Sequence, residues 1–151
     1  MDLRKFSEIT GLTVTEGGSG RTLGRITGVL LTKDGQKVTG LALRGKGLFR
    51  RRRFVPYSDI RHFGERTVEV SRTVKKGMEN ERPLLGQTVR GTSGVHLGWV
   101  TDGLLEEETG QVSAVEVSYG LYEDFSLGRS LMHDFILRPE GVVVLSGAAF
   151  G

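Results

Sequence analysis

The densest concentration of reactive chemistry in the 151-residue chain is the segment Arg44-Gly-Lys-Gly-Leu-Phe-Arg-Arg-Arg-Arg53. Arg44, Lys46, Arg50, Arg51, Arg52 and Arg53 crowd their charges onto a predicted hairpin, with Leu48 and Phe49 near its tip. Strand alternation separates Arg50 and Arg52 from Arg51 and Arg53, which places charge on both faces. So much charge is costly to bury, so the hairpin is expected to protrude or to lie at a sheet edge. Two readings follow. The hairpin is a phosphate-binding finger, each phosphate contact adding about 0.9 to the salt slope, or it is a solvated edge guarded against aggregation.

A second hairpin of nearly the same length, Ser118 to Gly128, carries the opposite character. Tyr119, Tyr122 and Phe125 surround Glu123 and Asp124. Pairing of the two hairpins, within one chain or between two, would set arginine against tyrosine and carboxylate. The alternative is that these aromatics fill the mouth of a small barrel.

Other chemistry finds little support. Histidines 62, 96 and 133 are scattered, and no Gly-x-Ser-x-Gly elbow supplies a nucleophile. The absence of cysteine removes disulfides, thiolate metal sites and cysteine nucleophiles. His133 lacks His or Cys partners for a metal, and Glu106-Glu107-Glu108 lacks the spacing of a calcium loop. Glu16-Gly-Gly-Ser-Gly20 is a turn, since neither GxxxxGK[ST] nor GxGxxG is present. Neither a catalytic site, nor a metal, nor a cofactor is expected.

The elements that must position these hairpins come in two copies. At an offset of 74 residues, Gly20, Leu23, Gly24, Thr27, Leu30, Leu31 and Val38 recur as identical residues in the segment from Gly94 to Val117. Ile26/Val100, Asp34/Glu108 and Leu43/Val117 are among the conservative pairs. The chain is therefore a duplication. Short β-branched runs between 23 glycines predict strands joined by tight turns. Residues 1–73 form a first repeat, 74–83 a polar linker and 84–151 a second repeat. Leu3 to Thr10 is a lead-in with one helical turn capped at Ser7. Trp99 aligns with Arg25, and so faces outward or toward the other repeat.

Charge divides unevenly between the halves. Residues 1–75 hold 16 Lys and Arg against 7 Asp and Glu, a net of +9, whereas residues 76–151 hold 5 against 11, a net of −6. Such asymmetry points to polyanion binding or to self-pairing. The start lacks a signal-peptide apolar run, and no stretch approaches the roughly 18 apolar residues of a membrane span. A soluble cytoplasmic protein is expected.

Gly-x-x-Leu-Gly-x-Ile-Thr from Gly20, Val-x-Gly-Leu-x-Leu from Val38 and Phe-Val-Pro-Tyr-x-Asp-Ile from Phe54 resemble the PRC-barrel family. Ser7-Glu-Ile-Thr-Gly-Leu-Thr-Val14 resembles the usual start of its free-standing members. That family includes the cytoplasmic domain of the photosynthetic reaction-centre H subunit and the C-terminal domain of a ribosome maturation factor. The resemblance implies an all-β chain of two tandem small barrels. It also implies a non-enzymatic adaptor or scaffold that binds another protein or a second copy of itself. A nucleic-acid or ribosome-associated role through residues 44–53 is the alternative. These motifs are turn glycines and core aliphatics, so they carry fold better than function.

Overall fold

The computed structural model of the chain describes residues 2–45, 52–71, 75–76, 83–120 and 128–145. In the first repeat, alternating apolar residues form β2 (Thr13–Glu16), β3 (Thr22–Leu31), β4 (Val38–Arg44), β5 (Arg52–Pro56), β6 (Ile60–Phe63) and β7 (Thr67–Val70). A short strand, β8 (Lys75–Lys76), follows. The second repeat contributes β9 (Thr88–Gly91), β10 (His96–Glu106), β11 (Val112–Ser118), β12 (Ser130–Met132), β13 (Phe135–Arg138) and β14 (Gly141–Val144).

The two sheets share one plan. The first runs β6-β7-β2-β3-β4-β5-β8 and the second β13-β14-β9-β10-β11-β12. Each has one parallel pair, β2 with β7 and β9 with β14, among antiparallel neighbours. Neither hydrogen-bonded path closes on itself among the described residues. The long hairpin at the centre of each sheet brings backbones unusually close. A Cβ at Gly24 would meet Arg44 O at 2.7 Å, and one at the equivalent Gly98 would meet Ser118 O at 2.0 Å. This is why both motif glycines are needed.

The N-terminal segment corrects the sequence reading. Leu3–Lys5 is a strand, β1, and it pairs antiparallel with β10 of the second repeat through Leu3↔Glu106, Arg4↔Leu105 and Lys5↔Leu104. The helical turn α1 (Phe6–Ile9) begins after Lys5, which makes no side-chain cap. Ser7 therefore does not cap it. Instead Ser7 gives its N–H (3.1 Å) and its hydroxyl to the buried carboxylate of Asp102 in β10. Asp102 Oδ1 also accepts Gly103 N–H at 2.8 Å. A buried carboxylate is tolerated when donors surround it.

Phe6 and Ile9 anchor the turn in an apolar cluster that includes both repeats. Val14, Ile26, Leu41 and Val68 supply the first half, and Val89, Val100, Val115 and Val142 the second. Each of these is at most 2% exposed, so the inward stripe of every central strand is spent on the core.

Candidate partner-binding surface

The outward face of the first sheet aligns arginines across strands. Register places Arg25 of β3 opposite Arg44 of β4, and Arg44 opposite Arg52 of β5. Neighbouring strands lie about 4.8 Å apart, so three arginine positions follow one another in a single row. Arg25 and Arg44 are exposed, and neither forms an ion pair with a described residue. Like charges directly opposite one another are destabilising, so this row spends stability unless an anion meets it.

The next row is different. Arg53 lies opposite buried Leu43 and beside Lys76. Arg53 is half-buried. Of the other basic residues singled out by sequence, Lys46, Arg50 and Arg51 lie outside the described residues. Arg25 was missed by the sequence reading. The signal was available, because an antiparallel hairpin that turns at residues 33–36 brings residue 25 opposite residue 44.

Of the acidic and aromatic hairpin, Tyr119 is half-buried and packs against the core. Tyr122, Glu123, Asp124 and Phe125 lie outside the described residues. Trp99 occupies in the second repeat the place of Arg25, opposite Ser118. It faces outward, 44% exposed, with its ring edge-on to His96 at 5.0 Å between centroids. The basic row thus has an aromatic counterpart on the second repeat, and among the described residues Trp99 is absent from the contacts that join the repeats.

Those contacts are made by residues to which the sequence reading gave no inter-repeat role. Arg4 projects from β1 to ion-pair with Glu107, and donates to Gly64 O (2.7 Å) and Phe63 O (3.0 Å) at the edge of the first sheet. Its guanidinium also sits 5.7 Å from the Phe63 ring centre. Tyr57 donates its hydroxyl to Glu107 O at 2.6 Å, with Glu106 O at 3.2 Å. Burial first, and the Glu107 carboxylate second, push the Tyr57 hydroxyl up to about 12.

No cluster of three or more His, Asp or Glu groups that could hold a metal occurs among the described residues. His133 Nδ1 lies 3.1 Å from Ser113 O, and His96 packs on Trp99, so these two imidazoles serve local contacts. Among the described residues no helix is long and apolar enough to cross a membrane.

No curated protein matches the chain by sequence. The profile of the PRC-barrel domain matches it twice, over residues 1–76 and again over residues 77–139. The first match covers β2 to β8 and the second β9 to β13, and the parallel strand pair and close-packed central hairpin recur in the same order in the two sheets. The chain belongs to the PRC-barrel domain family and carries two copies of that domain in tandem.

Proposed function

We propose that the protein is a non-enzymatic binding module of the adaptor or scaffold type, which holds an acidic macromolecular partner against the outward face of β3, β4 and β5. The row Arg25–Arg44–Arg52 carries this reading, because its two described side chains are exposed and unmatched by carboxylate among the described residues. A charge arrangement that weakens the free protein is favourable once a partner of opposite sign is bound. Support for a non-catalytic role comes from the scattered imidazoles and from the hydroxyl of Tyr57, which is engaged in holding the repeats together. Localisation in the cytoplasm fits the cysteine-free composition.

A second reading, nucleic acid as the partner, is favoured by the continuation of the row into the basic segment 44–53. A sugar–phosphate chain is a regular line of anions, and four to six contacts would make affinity steeply dependent on salt. One titration separates the two. The protein and its Arg25→Gln/Arg44→Gln variant are titrated with single-stranded RNA, duplex DNA and polyglutamate from low to moderate salt. Binding of polyglutamate alone supports an acidic protein partner, and binding of RNA or DNA supports the second reading. Equal behaviour of variant and parent toward all three would refute the role of this face.

A further inference from the structure

The junction between the repeats contains two equivalent grooves, and only one of them is filled by β1. Equivalence is set by register. Phe63↔Val68 in the first sheet corresponds to Leu137↔Val142 in the second, with Val68 and Val142 74 residues apart. Gly64 therefore corresponds to Arg138. Across the groove, Glu106 and Glu107 correspond to Thr32 and Lys33, because Thr32 N–H donates to Lys37 O just as Glu106 N–H donates to Gln111 O, both at 2.9 Å. Arg4 fills the groove between Glu107 and Phe63–Gly64. Its twin, between Lys33 and Leu137–Arg138, is an open cleft with about 520 Å³ of volume.

The strand edge beside this groove is also uncovered among the described residues. β1 lies along Leu104–Glu106 of β10, and its Asp2 carbonyl accepts Glu107 N–H at 3.0 Å. The corresponding edge of β3, from Leu30 onward, carries no paired strand among the described residues, and the N–H of Lys33 meets no described acceptor. Burial records the difference. Leu105, beneath β1, is fully buried, whereas its twin Leu31 is only half-buried.

Charge in the open groove is reversed. Lys33 stands where Glu107 receives Arg4, and the exposed Arg138 stands where Gly64 offers only its carbonyl. The one carboxylate in the lining, that of Asp34, is committed to its own turn, accepting the Thr32 hydroxyl at 2.7 Å and Gln36 N–H at 3.1 Å. Ile136 and Leu137 supply an apolar floor.

From this we infer that the β3 edge and the Lys33–Arg138 groove form a strand-addition site for an extended segment of a partner protein, which bears a carboxylate where β1 bears Arg4. Backbone pairing along a free edge supplies affinity and the groove side chains supply selectivity. This site lies apart from the arginine row. It rests on the binding-module reading, yet either can fail while the other stands.

The test uses three labelled five-residue peptides on the full-length protein, followed by fluorescence anisotropy. One copies residues 2–6 with Glu in place of Arg4, one keeps Arg, and one carries Gln. The Glu peptide is expected to bind best, and Lys33→Glu to shift preference toward the Arg peptide by about tenfold. Lys33 is exposed, so thermal unfolding of that variant should match the parent. Equal binding of the three peptides, or no change on Lys33→Glu, overturns the proposal. Upstream of the glycine turns, the second of which is one residue shorter, the offset is 75 residues, as from Gly11 to Gly86, so the counterpart of Arg4 in the sequence is Glu79. If Glu peptide binding is seen only in a Glu79→Lys variant, the groove serves the chain's own connector and the partner assignment falls.

Discussion

Lys37 and Gln111 stand at equivalent positions of the two repeats, and they pair with each other as an isolated antiparallel bridge. Val38 N–H donates to Gly110 O at 2.7 Å, and Val112 N–H to Gln36 O at 2.9 Å. Each of these bonds becomes the other when the repeats are exchanged by the 74-residue offset. A pseudo-twofold axis therefore passes between Lys37 and Gln111, as at an isologous dimer interface. Around it, the first repeat's turn reaches the edge strand β13 of the second, and the second repeat's turn receives Tyr57 of the first. Gln36 Nε2 donates to Phe135 O at 2.6 Å and Leu137 N–H to Asp34 O at 2.9 Å, while Tyr57 reaches Glu107 O on the opposite side.

Gly110 tests this junction. Its φ is +77°, and an added Cβ would meet the Tyr57 ring at 3.0 Å and Val38 O at 3.1 Å. Gly86, with φ +87°, has open space around it. Gly110→Ala and Gly86→Ala share a conformational cost of about 1–2 kcal/mol, and only the first adds crowding on the axis. The melting temperature should fall further for Gly110→Ala, with about 2–4 °C per kcal/mol for a chain of this size. Equal losses in differential scanning calorimetry would show that the axis contact contributes nothing.

Arg4 should be irreplaceable by lysine. Its planar fork serves one carboxylate and two carbonyls at once, from a partly buried position. An ammonium cannot span that geometry. Arg4→Ala is expected to lose about 2 kcal/mol, and Arg4→Lys to recover less than half of it. Urea midpoints at constant m-value report the difference, and a lysine variant as stable as the parent would contradict the fork.

Tyr57 couples the junction to alkaline pH. Its hydroxyl is raised above the ordinary value of 10.0 to about 12, so the folded state favours the protonated form. That contribution is complete below pH 10 and is lost as pH rises through 10 toward 12. The parent should therefore lose stability over this interval more steeply than Tyr57→Phe, which has no proton to release. Parallel stability curves for the two proteins between pH 9 and 11.5 would remove Tyr57 from the coupling.

The duplication was readable because its evidence lies in residues that the fold cannot vary. Gly24 and Gly98 are fixed by a carbonyl too close for any side chain, and Val38 and Val112 by the core. The cross-repeat role of Leu3–Lys5 was not readable. A three-residue strand with one charged side chain in its middle carries no periodicity, and its partner edge exists only after β10 has folded. Ser7 has the composition of a cap, but Asp102 outcompetes the helix for it, which no local rule anticipates. Trp99 could be placed on an outward or inter-repeat position from its alignment with Arg25. Only the register of β10, with His96 beside it, decided between them.

The arginine row makes a prediction in which stability and binding move in opposite directions. Arg25 faces Arg44 directly across β3 and β4 on an exposed surface. Replacing Arg25 with glutamate turns a cross-strand repulsion into an attraction, with an expected gain of about 0.2–1 kcal/mol. The gain should shrink as salt is raised past the point where the Debye length falls below about 8 Å. The same substitution removes one cation from the row and adds an anion beside another, so affinity for a polyanion should fall and its salt slope should flatten by about 1 to 2. Arg25→Gln separates the two effects, relieving the repulsion without supplying the attraction. A row kept for binding predicts that Arg25→Glu is more stable than the parent at low salt and binds less well than Arg25→Gln. If Arg25→Glu were instead less stable, the side chain of Arg25 would be held by contacts other than those that leave it exposed, and the row would be structural.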